Sequence, residues 1–202
     1  MSIFVLDDVV PKALQKTIAG TLLSPNFPLY WNAKTVEFTE GGDSPGLFWD
    51  NNTKDSPQLT HSVIVDGNQT SEHWGLLRTI LYQVIAKTDM ELEVVRCKIN
   101  VTFPQCNFSF GEYYPPHIDT VHQAEFTAIY YVNDADGDTL FFKTPDQNRL
   151  DGAFVVQQAV TPKQGRLVFF DNKTVHCGAP PKNSNTRCVI NFNFAQIGDL
   201  AC

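Results

Sequence analysis

Residues 111–120 have the sequence Gly-Glu-Tyr-Tyr-Pro-Pro-His-Ile-Asp-Thr, which is the most informative segment of the chain. The two prolines end the run before them, and His117 and Asp119 follow directly. In an extended segment, residues i and i+2 point to the same side, so this imidazole and this carboxylate can converge on one cation. The segment therefore predicts part of a metal site at the start of a strand.

A third metal ligand is offered by His176, which follows an apolar run and the polar turn of residues 171–174. Two histidines and one carboxylate, with the other positions open, form the ligand set of non-haem iron(II) oxygenases. A lone His-x-Asp pattern also arises by chance and then has only a structural role. The context favours the metal site, because Arg187 lies in the next apolar strand, where an inward-pointing guanidinium would need an anion such as a carboxylate.

From Glu91 onward the sequence consists of short β-branched and aromatic runs that are separated by Gly, Pro, Asn and Asp. Such runs predict strands. Because no helical pattern lies between them, they predict antiparallel β-structure in a sandwich or a barrel. The predicted strands are residues 92–103, 126–132, 139–142, 154–160, 167–170 and 188–194.

Residues 1–90 carry two helical patterns. The first spans about residues 10–23 and has Pro11 in its opening turn, where proline is favoured. The second begins near Ser71, a good N-cap, and ends near residue 87. Both helices are expected to pack on a sheet as supports.

The 202 residues predict a single domain, residues 1–202, with helical support in residues 1–90 and the β-core in residues 91–196. A stretch rich in Gly, Asp, Asn, Ser and Pro, residues 40–57, predicts a long loop that contains Phe48 and Trp49. Long loops in compact domains are often lids or binding loops.

Lys and Arg number 15 against 22 Asp and Glu, so the formal net charge is -7 and a nucleic-acid partner is disfavoured. The N-terminus lacks the pattern of a secretory signal, and no stretch approaches the length of a membrane span. The five cysteines form no close pair, which is typical of free thiols in a reducing compartment. We expect a cytoplasmic protein without a membrane partner, and no particular oligomeric state is predicted.

The second half of the chain, residues 98–194, resembles the prolyl 4-hydroxylase-like branch of the 2-oxoglutarate and iron(II) dioxygenases. Residues 111–120 match the family's run of a glycine, aromatic residues and His-x-Asp. Further matches to the later motifs of the family are residues 129–133, residues 137–142, residues 165–170, His176 and the strand of Arg187.

This resemblance implies a mainly β fold with some α-structure, namely a double-stranded β-helix of the jelly-roll or cupin-like type that is braced by the N-terminal helices. It also implies hydroxylation of a C–H bond with release of succinate and carbon dioxide. Iron(II) would be the cofactor and 2-oxoglutarate and dioxygen the cosubstrates, with ascorbate as a stimulant. Relatives that halogenate have lost the carboxylate ligand, so Asp119 favours hydroxylation.

The resemblance assigns roles to individual residues as well. The distal carboxylate of 2-oxoglutarate would be bound by Arg187, with the Tyr131 hydroxyl as its companion. In hypoxia-type prolyl hydroxylases a tyrosine near the His-x-Asp strand also holds the cosubstrate, and the corresponding residues 107–110 offer Asn107 for that contact. The long spacing before Arg187 implies an extended turn through residues 180–183. The iron ligands would be His117, Asp119 and His176.

Three functions are open at this level. The favoured one is hydroxylation of a prolyl or other residue in a peptide or protein. The second is oxygenation of a free small molecule such as an amino acid, because loops rather than the barrel set the substrate. The third is a non-catalytic, metal-binding, cupin-like barrel.

Overall fold

The computed structural model of the protein describes residues 3–36, 52–109, 111–119, 121–143 and 154–197. Phe48 and Trp49 of the predicted loop lie outside the described residues. The elements, in chain order, are β1 (Phe4–Leu6), α1 (Lys12–Leu22), β2 (Tyr30–Asn32), β3 (Gln58–Val65), β4 (Asn68–Gln69), α2 (Trp74–Thr88), β5 (Leu92–Thr102), β6 (Phe126–Tyr131), β7 (Thr139–Phe142), β8 (Val156–Val160), β9 (Leu167–Asp171), β10 (His176–Gly178) and β11 (Arg187–Gln196).

The strands form two antiparallel sheets, and together these make the predicted double-stranded β-helix. The larger sheet has the order β1-β9-β6-β11-β5-β3-β2, with β4 paired to β3. The smaller sheet has the order β10-β7-β8. Apolar side chains from both sheets, among them Tyr131, Phe141 and Val168, form a buried cluster between them. The mainly β fold class is confirmed.

The side chains of β11 point alternately to the two faces of the larger sheet. One set of alternate residues joins the main apolar core with the helices: Cys188, Ile190, Phe192 and Phe194. The other set lies on the opposite face: Arg187, Val189, Asn191 and Asn193. Because side chains of a strand point alternately to its two faces, a single strand supplies both a core and a polar row.

The two helices cover the outer face of the larger sheet. Ile18 of α1 and Leu77 of α2 are fully buried against it. The first helix begins at Lys12, so Pro11 is its N-cap residue and does not lie within the opening turn. The second begins at Trp74 rather than at Ser71, because residues 71–73 form a turn in which the Ser71 hydroxyl accepts a hydrogen bond from the His73 N–H at 3.3 Å.

Residues 1–90 contribute strands as well as helices, which the sequence did not predict. The eight-residue strand β3 pairs with β5, and β1 pairs with β9 at the opposite edge. Polar residues such as Gln58 and Thr60 are buried on β3. Their presence weakens the apolar pattern by which strands are identified.

A β-bulge at Val95 reverses the facing of β5. Before the bulge, Leu92 and Val94 belong to the core under the helices. After it, Cys97, Ile99 and Val101 belong to that core. The pairing shifts at this point, since Arg96 lies opposite Asn193 whereas Val94 lies opposite the next residue of β11. A bulge adds one residue and so exchanges the two faces of the strand.

The four described cysteines, Cys97, Cys106, Cys177 and Cys188, are free thiols. Among the described residues, no helix is both long and apolar enough to cross a membrane.

Candidate metal and cosubstrate site

A β-bridge brings His117 and His176 together from distant parts of the chain. The backbone N–H of each donates to the carbonyl of the other at 2.9 Å, and their ring centroids are 4.7 Å apart. Asp119 Oδ1 lies 3.8 Å from His117 Nε2. One ligand atom from each of the three residues lies within 4.8 Å of the others, so the group could hold one metal ion.

Hydrogen bonds set the tautomer of both histidines. The Nδ1 atom of His117 lies 2.9 Å from the Pro115 carbonyl, and that of His176 lies 2.9 Å from the Thr174 carbonyl. A carbonyl oxygen only accepts, so each Nδ1 carries the proton and each Nε2 presents its lone pair. Both rings are therefore prepared to bind a metal through Nε2.

Two neighbours orient the Asp119 carboxylate. The Thr127 hydroxyl and the Asn193 amide nitrogen both donate to its Oδ2, each at 2.9 Å. Burial raises the pKa of Asp119, but the opposing charges led by His176 outweigh it and lower the pKa to about 2. The carboxylate is thus ionised, with Oδ2 held and Oδ1 turned toward the histidines.

Arg187 lies in the same cavity and is only 6% exposed. Its Nε donates to the Gly137 carbonyl at 2.7 Å and its Nη2 to the Thr139 hydroxyl oxygen at 2.8 Å. Among the described residues no carboxylate lies within 4 Å of this guanidinium. Because a buried charge without a counter-ion costs several kcal/mol, the site fits a bound carboxylate such as that of 2-oxoglutarate.

The Tyr131 hydroxyl, the predicted companion of Arg187, points at Thr139 and not into the cavity. It donates to Thr139 Oγ1 at 2.7 Å, and burial raises its pKa to about 12, so it keeps its proton. Arg187 donates to the same oxygen, so both lone pairs of Thr139 are used. Thr139, which lines the cavity, is left with its O–H to donate to an anion.

Asn107 is exposed, and its side chain does not line the cavity. Its backbone carbonyl instead accepts a hydrogen bond from Lys54 at 2.7 Å. Tyr114, three residues before His117, lines the cavity in its place. Sequence position alone did not show which of Asn107 and Tyr114 lines the cavity. The β-bridges of Tyr113 and His117 determine which residues of this irregular segment turn inward.

The extended turn before Arg187 is anchored by Asp136. Its carboxylate accepts hydrogen bonds from the N–H groups of Lys182, Asn183 and Ser184 at 2.9, 2.7 and 3.2 Å. Burial raises the pKa of Asp136, but these hydrogen bonds outweigh it and lower the pKa well below its usual range. The turn is thereby held beside Gly137, whose carbonyl positions the guanidinium.

The cavity has a volume of about 480 Å³ and contains the three candidate ligands, Arg187 and Thr139. Among the described residues, three buried side-chain oxygens in its lining lack a partner in good hydrogen-bonding geometry: Asn191 Oδ1, Thr102 Oγ1 and the Tyr114 hydroxyl, of which the last two lie beside each other. Leaving such an atom unsatisfied costs about 1–3 kcal/mol. Their grouping in one cavity indicates a place where a polar ligand binds.

Gly137→Ala is expected to weaken 2-oxoglutarate binding and to lower the free energy of unfolding by about 1–3 kcal/mol, as overpacking does. A Cβ there would lie 2.3 Å from the Ala179 carbonyl oxygen and 2.9 Å from backbone atoms of Pro180 and Pro181. Chemical denaturation and cosubstrate titration measure both effects. The control is Gly75→Ala, where a Cβ meets nothing within 4 Å. Equal stability of the Gly137 variant and the wild type would contradict the packing argument.

The metal-free protein is expected to lose stability as the pH falls from 6.5 toward 4. Burial and the neighbouring His117 lower the pKa of His176 from 6.5 to about 4, so in this window the unfolded chain binds a proton that the folded chain does not. The loss is on the order of 3 kcal/mol, from 1.36 kcal/mol per pKa unit. Urea denaturation across this range measures the free energy of unfolding against pH. The slope should be smaller for His176→Asn, whereas His122→Asn, at an exposed position, should keep the slope of the wild type. Parallel profiles for wild type and His176→Asn would refute this.

The mouth of a double-stranded β-helix with two histidines and one carboxylate is typical of one class of protein, the mononuclear non-haem iron oxygenases. Residues 104–195 match the model of the 2OG-Fe(II) oxygenase superfamily, and this segment contains all three candidate ligands and Arg187. The second half of the chain is therefore similar to oxygenases that depend on iron(II) and 2-oxoglutarate. A comparison with curated proteins found no match.

Solved structures with the same fold share little sequence with this chain. An oxidoreductase of the 2OG-Fe(II) oxygenase family from Burkholderia pseudomallei has a TM-score of 0.63 at 12% identity, with 96% of this chain and 84% of that chain covered. A prolyl-4-hydroxylase from Pseudomonas putida has a TM-score of 0.56 at 15% identity, with coverages of 97% and 93%. The epimerase SnoN, in complex with Fe3+, alpha ketoglutarate and nogalamycin RO, has a TM-score of 0.58 at 13% identity, with coverages of 96% and 78%.

Proposed function

We propose that the protein hydroxylates a C–H bond of a peptide or protein, with a prolyl residue as the favoured target. The observation that carries this proposal is the convergence in one cavity of three candidate metal ligands and a buried arginine that has no described carboxylate within 4 Å. Support for a prolyl target comes from the shared fold of the Pseudomonas putida prolyl-4-hydroxylase. We also propose a cytoplasmic location, which the free thiols of the described cysteines favour.

In this proposal His117 Nε2, His176 Nε2 and Asp119 Oδ1 bind iron(II). Arg187 and Thr139 bind the distal carboxylate of 2-oxoglutarate, with the Tyr131 hydroxyl orienting Thr139. The bound iron supplies the redox chemistry that couples decarboxylation of 2-oxoglutarate to oxidation of the substrate.

The protein's own part is to keep the reacting groups in place. The Pro115 and Thr174 carbonyls hold both imidazoles in the metal-binding tautomer, so no proton has to move before the metal binds. Around them, the cavity carries hydrogen-bonding side chains, including Asn100, that can contact the backbone of a peptide.

Turnover of defined substrates tests this function. Purified protein would be incubated with iron(II), 2-oxoglutarate, dioxygen and ascorbate, together with a panel of proline-containing peptides, and succinate and the mass of each peptide would be measured. We expect at least one peptide to stimulate succinate release and to gain one oxygen atom. Asp119→Asn supplies the background rate. A panel in which every peptide stays unmodified would refute the peptide assignment.

A free small molecule such as an amino acid is the second candidate. Two basic side chains, Arg96 and Lys98, line the cavity in addition to Arg187, and they favour a small substrate with a negative charge. Succinate release that free amino acids stimulate, in the absence of any effect of peptides, would support this candidate over the first.

A further inference from the structure

Arg96 lines the cavity of the candidate metal site, but it belongs neither to the three candidate ligands nor to the contacts proposed for 2-oxoglutarate. The bulge in β5 turns its side chain into the cavity, opposite Asn193 of β11. Its Nη1 donates to Asn193 Oδ1 at 3.1 Å, and Asn193 Nδ2 donates to Asp119 Oδ2 at 2.9 Å. Two hydrogen bonds thus connect this guanidinium to the carboxylate of the metal site.

Most of the hydrogen-bonding capacity of Arg96 is unused. A guanidinium has five N–H donors in a planar fork, and within the described part of the chain only Nη1 has a partner. No described carboxylate lies within 4 Å of it. The side chain is half-buried and lines the cavity.

The charges of the cavity favour an anion at this position. Arg96, Lys98 and Arg187 line it, against the carboxylates of Asp66 and Asp119. With a metal bound to Asp119 and 2-oxoglutarate bound to Arg187, Arg96 would remain as a cation of the lining that has no described carboxylate within 4 Å. A local positive excess in a chain of net charge -7 is an electrostatic feature suited to a negatively charged ligand.

A second feature points to a missing ligand at the same place. Asn191 lies two residues before Asn193 on the cavity face of β11, and its buried Oδ1 has no hydrogen-bond partner among the described residues. This acceptor and the free donors of Arg96 together offer a ligand both kinds of hydrogen bond.

We propose that Arg96 binds a carboxylate of the substrate through a bidentate pair of hydrogen bonds, and so places the neighbouring C–H bond toward the metal site. Arginine suits this role because its planar fork matches the two oxygens of a carboxylate. The carboxylate comes either from a free amino-acid-like molecule or from an acidic side chain near the target residue of a peptide. This inference rests on the proposed function for the identity of the ligand as substrate.

Carboxylate binding next to the metal can be measured without turnover. Protein loaded with Mn(II) and saturating 2-oxoglutarate, without oxygen, would be titrated with trifluoroacetate, 3,3,3-trifluoropropionate and 4-fluorobenzoate, and with the primary amide of each. Paramagnetic broadening of the 19F resonances reports proximity to the metal, and saturating 2-oxoglutarate keeps Arg187 occupied. We expect broadening by at least one carboxylate and weaker broadening by its amide.

Variants assign this binding to one residue. Arg96→Gln should weaken carboxylate binding at least about tenfold, because it removes a charge-assisted bidentate contact. Arg96→Lys keeps the charge without the fork and should bind with intermediate affinity. Arg78→Gln, at an exposed position of α2, should match the wild type. Mn(II) affinity of each variant, measured by EPR, establishes that the metal site is intact.

Three results would overturn the proposal: no broadening by any of the three carboxylates, equal broadening by acids and amides, or unchanged broadening in a metal-loaded Arg96→Gln. The proposed function is judged separately in the same samples. Wild-type protein that binds neither Mn(II) nor 2-oxoglutarate would refute the oxygenase site itself, whatever Arg96 does.

Turnover then distinguishes the two sources of the carboxylate. Matched proline peptides that carry Glu or Gln beside the proline, and free amino acids against their amides, would be compared for succinate release by wild type and Arg96→Gln. A preference for Glu that the variant loses identifies an acidic peptide, and a preference for the free acid identifies a small molecule. No preference in either pair would contradict a carboxylate anchor.

Discussion

Asp119→Asn is expected to lower the affinity for iron(II) by more than about a hundredfold and to abolish turnover, since even changes outside the ligand set cost 10–100-fold. The variant keeps the size of the side chain but loses its charge. Thr127 and Asn193 both donate to Oδ2, so the amide oxygen of the variant would take that position. The amide nitrogen, which is a donor, would then face the metal.

Anaerobic titration with iron(II) and 2-oxoglutarate measures this loss through the visible charge-transfer band of the complex. Asp66→Asn is a matched control, because Asp66 also lines the cavity but lies outside the group of three. Its backbone φ of 48° is one that asparagine tolerates. Iron affinity of Asp119→Asn equal to that of the wild type would remove the basis for the metal site.

Arg187→Met is expected to weaken 2-oxoglutarate binding by about 2–5 kcal/mol, the usual result of truncating one partner of a buried charge pair. The same substitution should leave the stability of the ligand-free protein unchanged or raise it. The partners of the buried guanidinium within the described part of the chain, Gly137 and Thr139, are neutral. An apolar side chain of similar length avoids the cost of burying the charge.

These opposite effects separate a ligand-binding role from a structural one. Thermal denaturation with and without 2-oxoglutarate should show stabilisation of the wild type by the ligand and none of Arg187→Met. Arg78→Met, on the exposed surface of α2, should respond to the ligand as the wild type does. If the Arg187 variant unfolds more easily without ligand and still responds to 2-oxoglutarate, the residue is structural.

Local patterns predicted much of the fold and the centre of the candidate site. His117 and Asp119 were associated by the two-residue period of an extended segment, which needs no knowledge of distant residues. The short β-branched and aromatic runs likewise predicted four of the eight strands of the larger sheet, namely β5, β6, β9 and β11. Where polar residues are buried, as on β3, the same reasoning found no strand.

Other parts of the site depend on contacts that no local pattern contains. The sequence did not predict Thr139 as a cavity residue, and it predicted that Tyr131 contacts the cosubstrate directly. The packing of the two sheets determines instead that the Tyr131 hydroxyl contacts Thr139 and does not face the cavity. Arg96 was missed because continuing the alternation of Leu92 and Val94 would place it in the core. Hydrogen bonding across β5 and β11 produces the bulge that turns it out.

By itself, the sequence determined the class of fold, the residue types of the candidate metal site and the need of Arg187 for an anion. These follow from strand periodicity, from the chemistry of metal ligands and from the cost of a buried charge, which are all properties of short segments. Tertiary structure decided the rest. The bridge between His117 and His176, the pairing of Arg96 with Asn193 and the orientation of the Asp119 carboxylate arise between residues far apart in the chain. Their geometry follows from strand register and sheet packing, which form only when the whole β-helix closes.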